Sequence, residues 1–378
     1  MNIIKSGVLT GTIATAILVF IPLSCVAKYR HWGDLSVFVT SALAIIPLSI
    51  VLSTATEKIA MVTGPSIGGL VNAVFGNATE LILALIALRA GLVDIVKSSI
   101  TGSILGALLL LLGLGMLTGG LRYKEQSFKP IFARVNGSLM TLGVTAIALP
   151  TLVIYTSNLV DPQDIHRIGM VTASVLIVLY GLTLLFSLKT HSYLYDVAIA
   201  ESEPESRSLV EPPAHHEIVV PDDLNMRLGG WITVLLIASV AVGFESNLFV
   251  EVVETSTGQL GFTPLFTGVI LLPLLSDVAS YVTIVRLALK DRMDLAVSTV
   301  TGDSLLITLF IAPVLVFVGQ WWGQPLDLNF NPFEVVALAI AVTVNNLVSS
   351  GGRSNWLDGT LLLATYFLLG VAFYYHPA

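Results

Sequence analysis

The chain has 378 residues, of which 55% are hydrophobic and only 11% charged, with a net charge of −7. Soluble globular domains carry about 25% charged residues, so a soluble enzyme is excluded, and the acidic balance leaves no basic surface for nucleic acid. The composition is that of an all-α polytopic membrane protein.

A helix that crosses a bilayer needs about 20 apolar residues. Candidate runs begin near Gly7, Val37, Pro65, Val96, Asn136, Ile168, Gly229, Gly261, Ala296, Phe333 and Trp356, which predicts eleven transmembrane helices. The first, over 1–30, contains the single Cys25. Its Pro22-Leu-Ser-Cys25 faintly resembles a lipoprotein cleavage site, but the apolar run before it is too long for a signal peptide, so it reads as a retained N-terminal helix. One cysteine provides neither an internal disulfide nor a metal framework.

The third run holds Gly68-Gly-Leu-Val-Asn-Ala-Val-Phe-Gly-Asn-Ala-Thr-Glu80. A carboxylate inside so apolar a run is costly unless it faces a cavity, a partner or an ion, which makes Glu80 the leading functional residue. Asn77, three residues earlier, shares its helix face. Gly68, Gly69 and Gly76, with Gly102 and Gly106 in the next run, allow close helix contact or local unwinding. Packing alone accounts for the glycines equally well; it does not account for Asn77 and Glu80.

One long hydrophilic stretch follows the sixth run, with Glu201, Glu203, Glu205 and Glu211 among Pro204, Pro212 and Pro213. It cannot bury enough apolar surface to fold alone and reads as an acidic cytoplasmic linker over 191–227, or as an acidic collar that concentrates cations. His215 and His216 are adjacent rather than at helical ligand spacing, which argues against a metal site there.

In the second half, Glu245 is a candidate on a cation route, and Glu251 and Glu254 are interfacial. Asn345 and Asn346, with Ser349 and Ser350, either line an ion path or bond helix to helix. Trp321, Trp322 and Trp356 fit an aromatic belt at the membrane surface.

An offset of 200 residues pairs Thr63 with Thr263, Gly68 with Gly268, Asp94 with Asp294, Thr101 with Thr301 and Gly102 with Gly302. The chain therefore reads as an internal duplication, with a first five-helix repeat over 31–190 and a second over 228–378. Because the offset separates equivalent helices by five spans, the copies are expected to be inverted, the arrangement of secondary transporters whose sites lie at broken helices near the midplane. Thirteen of the 18 Lys and Arg residues fall in loops that a cytoplasmic N-terminus would leave inside. The positive-inside rule then puts the N-terminus in the cytoplasm and the C-terminus outside.

Gly76-Asn-Ala-Thr-Glu80 after Leu70-Val-Asn72, followed by Asp94-Ile-Val-Lys-Ser98 and Gly102-Ser-Ile-Leu105, resembles the first signature repeat of the calcium/proton antiporters of the cation/calcium exchanger superfamily. The similarity continues through Glu245, Glu251 and Glu254, Asp294-Leu-Ala-Val297, Gly302, Phe310 to Pro313, and Gly352-Arg-Ser-Asn-Trp-Leu-Asp-Gly359. The resemblance implies exchange of cytoplasmic calcium for protons by alternating access, with one membrane-embedded glutamate from each repeat binding the cation. A carboxylate can hold either the ion or a proton, and calcium takes about six to eight oxygen ligands.

The second repeat departs from that pattern. The family reads Gly-Asn-Ala-Ala-Glu-His where this chain has Ser276-Asp-Val-Ala-Ser-Tyr281, so Ser280 stands in place of the second glutamate. Leu306 replaces an amide, and Ala107 stands where the first repeat expects asparagine. A divalent ion beside Glu80 alone would keep an uncompensated charge, so Asp303 or Asp277 is expected to supply the second negative charge; otherwise both acids are structural, paired with Arg286 or another helix. The expected ion-binding and proton-coupling set is Glu80, Asn77, Asp303, Asp277 and Ser280, with Glu80 and Asp303 as the metal carboxylates and Gly76, Gly102 and Gly302 as breaking or packing glycines.

Three classes stay in contention: an antiporter of calcium, or of sodium or another monovalent cation; a transport-silent sensor or scaffold; and an intramembrane aspartyl protease built on Gly302-Asp303 and Asp277. The protease motif wants glycine where Val300 stands and has no use for Glu80. No cofactor is expected beyond the transported cation and protons; membrane lipids are the surrounding partner, and the oligomeric state is open. Without an organelle address, the expected location is a bacterial plasma (inner) membrane.

Overall fold

The computed structural model describes residues 2–157, 161–191 and 228–376. The acidic linker and its histidine pair therefore lie outside the described residues. Helices account for nearly all of the described chain, as lipid requires of a spanning backbone that must satisfy its own hydrogen bonds. In order they are α1 (Asn2–Tyr29), α2 (Asp34–Phe75), α3 (Ala78–Arg89), α4 (Val93–Tyr123), α5 (Pro130–Ser157), α6 (Pro162–Leu185), α7 (Leu228–Gln259), α8 (Pro264–Ser276), α9 (Val278–Ala288), α10 (Met293–Trp322), α11 (Pro332–Ser349) and α12 (Trp356–Tyr375).

Among the described residues, eight helices are long and apolar enough to cross a membrane, and nine if α8 and α9, bent by 62°, form one broken span. The two other expected runs take different forms. The Pro65 run is split between the end of α2 and α3 at Asn77, and only Thr15–Tyr29 of α1 is a described apolar stretch. Helix α2 reverses at Gly64, whose φ of 80° is open to glycine at little cost.

Helices α4 and α10 form the centre: 83% of the apolar window of α4 is buried, against 17% for α6. Around them α2 packs on α1 and α7, α4 on α8 and α12, α5 on α11, and α6 on α10. The α4–α8 crossing depends on missing side chains. A Cβ on Gly102 would stand 2.1 Å from the Val269 carbonyl oxygen, and one on Gly268 would stand 2.4 Å from Ser98 Cβ. Both Gly102 and Gly302 were expected to be packing glycines, yet a Cβ on Gly302 meets nothing within 4 Å. Gly102→Ala should therefore cost about 1–3 kcal/mol by overpacking, read as a lower thermal midpoint in detergent, whereas Gly302→Ala should not lower the midpoint.

An element absent from the all-α expectation closes one end. Strand β1 (Glu125–Ser127) pairs antiparallel with β2 (Arg353–Asn355), joining the loop after α4 to the loop before α12. Gln126 Nε2 donates to the Ala288 carbonyl at 3.0 Å and fastens the ribbon to the end of α9.

Candidate cation site

Two helix breaks face one cavity. Helix α2 runs into Gly76 in helical geometry, and the break falls one residue later, at Asn77 (φ −115°, ψ 40°), the N-cap of α3. Asp277 (φ −101°, ψ 12°) separates α8 from α9 in the same way. Asn and Asp ordinarily cap a helix through their side chains, and Asn331 and Asn355 do so at the starts of α11 and α12. Neither Asn77 nor Asp277 makes a side-chain cap bond. Their polar ends are left for another use, at a point where two helix N-termini converge and favour negative charge.

The cavity is small, about 20 Å³, and is lined by Ser49, Ser53, Asn77, Glu80, Asp277 and Ser280 together with Thr79 and Ser276. A volume of that size holds on the order of one water molecule or one bare ion. Glu80 and Asp277 are 7% and 8% exposed. Ser280 lies within hydrogen-bonding reach of Asp277, and Ser103 beside Glu80. Among the described residues none of the ion pairs includes Glu80, Asp277 or Asp303. Pairing of these acids with Arg286 is thus not seen.

Glu80 Oε2 and Asn77 Nδ2 are buried with no hydrogen-bond partner among the described residues. The described residues hold no cluster of three or more His, Cys, Asp and Glu. A cation here would rest on two carboxylates, completed by amide, hydroxyl and backbone oxygens, the donor set that a hard divalent ion prefers.

The other expected residues are distributed differently. Asp303 does not line the small cavity; with Gly302 it lines a neighbouring one of about 310 Å³ that also includes Asn72, Asn136 and Tyr180. Glu245 is fully buried under α1, where it accepts a hydrogen bond from Ser24 Oγ at 2.9 Å. Asn346 donates to Thr141 Oγ1 at 3.0 Å and ties α11 to α5, while Asn345 is buried with Oδ1 unpartnered among the described residues. Exposed Trp321, Trp322 and Trp356 stand at helix ends.

Several polar residues of this region escape a reading of the sequence. Ser49 and Ser53 of α2 line the cavity, and their signal was a pair of hydroxyls one turn apart in an apolar run. Tyr281 has a buried, unpartnered hydroxyl among the described residues and senses the charges of Asp277 and Glu80. Glu334 is buried at the start of α11, with Ser98 and Thr101 of α4 beside it. Its capping role, accepting the Asn331 backbone N–H at 2.9 Å, leaves Oε1 without a partner among the described residues.

The family described as sodium/calcium exchanger protein matches residues 33–189 and 230–375. A Ca2+/H+ antiporter of Aphanothece halophytica is 51% identical over 367 residues, 97% of this chain and 97% of its own. A Ca2+/H+ antiporter of Synechocystis sp. is 51% identical over 366 residues, 96% of each chain. The solved structure of native YfkE is similar at a TM-score of 0.78 and 30% identity, covering 96% of this chain and 99% of that one.

Proposed function

The chain belongs to the sodium/calcium exchanger protein family, and from that premise we propose that it exchanges calcium for protons across a membrane, with Glu80 and Asp277 as the cation-holding pair. The observation that carries the reading is the convergence of both carboxylates, at two helix breaks, on a cavity with room for one bare ion. Asp277 supplies the charge that Ser280 cannot. Two carboxylates neutralise one calcium; with the cation gone, protons neutralise them instead, so one site serves both fluxes in turn.

The order of elements supports an alternating-access frame. After α1, the segments α2–α6 and α7–α12 each hold one broken span, and Asn77 and Asp277 stand at the 200-residue offset. Counting each broken span once is consistent with one N-terminal helix and two five-span repeats, and the odd separation of the repeats supports their inversion. Rocking of one repeat against the other then opens the pair to either side. The distribution of Lys and Arg supports a cytoplasmic N-terminus and an external C-terminus, and the bacterial relatives support an inner-membrane location.

Everted vesicles with an imposed pH gradient test the substrate. Calcium should collapse the gradient, while a response to sodium or potassium alone would replace calcium as the transported ion. Competition adds a second expectation. Acidifying the calcium-loading side should raise the calcium concentration for half-maximal uptake and leave the rate at saturating calcium much less affected; a half-maximal concentration indifferent to pH would mean separate sites for the two ions.

A further inference from the structure

Asp303 is half-buried on the wall of the larger cavity, and it belongs to neither the small cavity nor any ion pair seen among the described residues. A carboxylate within a membrane-spanning helix is functional by default when no cation balances it. Its surroundings differ from those of Glu80 in scale. The 310 Å³ around Asp303 is more than ten times the 20 Å³ beside Glu80 and admits several water molecules. The larger cavity therefore has room for a divalent ion that keeps its inner water shell, whereas the smaller admits only a stripped one.

The lining suits a hydrated cation. Asn72, Thr183, Ser187, Ser298 and Thr299 present neutral amides and hydroxyls, and no Lys or Arg lines the cavity. Asn136 donates its amide to Thr301 Oγ1 at 2.9 Å, which leaves its carbonyl oxygen as the group available to a cation or its water. The cavity is bounded by the end of α2, the C-terminal part of α6 and the residues just after it, the start of α5 and the first half of α10. The segments that adjoin these helix ends carry Lys124, Lys129, Arg134, Lys189 and Arg292, the side that the positive-inside rule assigns to the cytoplasm.

We propose that the Asp303 cavity is a second cation site, a waiting station that holds a hydrated divalent ion on the Lys- and Arg-rich side before it sheds water and passes to Glu80 and Asp277. The proposal rests on the reading of that pair as the central site. It makes Asp303 a binding residue of the access route rather than a member of the central pair.

The test uses manganese as the divalent probe and the purified full-length protein in detergent, so that binding is read without transport. In the Glu80→Gln, Asp277→Asn double variant the central site is disabled. Electron paramagnetic resonance should still show one weak manganese site per chain, with proton couplings from retained water and displacement by calcium. Adding Asp303→Asn should remove it, and Asp303→Glu in the same background should keep it, which separates a lost ligand from a lost fold. In everted vesicles of the otherwise native protein, Asp303→Asn should raise the calcium KM at the face exposed there by about tenfold and change kcat by less than about twofold. No manganese bound to the double variant while the native protein binds it, or binding indifferent to Asp303→Asn, overturns the waiting station and leaves the central site standing. If the native protein binds no divalent ion at all, the central reading falls with it.

Discussion

Glu80→Gln is expected to abolish calcium-driven proton movement while leaving a folded, membrane-inserted protein. The substitution is nearly isosteric, so packing around a side chain only 7% exposed is retained. What disappears is one of the two charges facing a bare divalent ion. Leaving a buried charge without its partner costs about 3–5 kcal/mol, a loss on the order of 10² to 10³ in affinity at about 1.4 kcal/mol per tenfold. The variant also cannot take up a proton at this position, so neither half of the exchange remains. Transport by Glu80→Gln at the native rate, measured in everted vesicles with expression matched, would place the chemistry elsewhere.

The second large effect is expected at Asp277. Asp277→Asn keeps an oxygen at the break in the α8–α9 span and keeps its geometry, since Asn77 occupies the corresponding break. It removes the charge that stands in for the glutamate replaced by Ser280. Losing a charged contact while retaining a neutral one costs about 1.5–3 kcal/mol, so the calcium KM should rise about 10- to 100-fold, less than for Glu80→Gln. Asp303→Asn, by contrast, should change only the face-dependent KM. If Asp303→Asn proves the more damaging, and Asp277→Asn is silent, the large cavity rather than the small one holds the transported ion.

Much of this architecture is legible in the sequence because membranes impose simple rules. Apolar runs of fixed length announce spans, and Asn77 and Glu80 stand out because polar groups are rare inside them. The 200-residue offset points to Asp277 as the counterpart of Asn77, and both interrupt helices. Other features are set by three-dimensional packing. Gly102 and Gly302 are equivalent by offset, yet a Cβ added to the first would stand 2.1 Å from a backbone oxygen and one added to the second would meet nothing within 4 Å, because only the first meets α8. The sequence names Asp303 with Glu80 as the metal carboxylates and leaves Asp277 as the alternative source of charge; cavity boundaries put Asp277, not Asp303, beside Glu80. Ser49 and Ser53 belong to the cavity only because α2 folds back at Gly64. The β1–β2 ribbon has three-residue strands, too short for any alternation to announce them.

The most direct measurement is equilibrium calcium binding to the purified native protein by isothermal titration calorimetry, beside Glu80→Gln, Asp277→Asn and the double variant. The account predicts one principal high-affinity calcium per chain in the native protein, weakened on the order of 100-fold or more by Glu80→Gln, less by Asp277→Asn, and less than additively in the double variant because the two carboxylates hold the same ion. Undiminished affinity in both single variants would contradict the claim that these two helix breaks form the cation site.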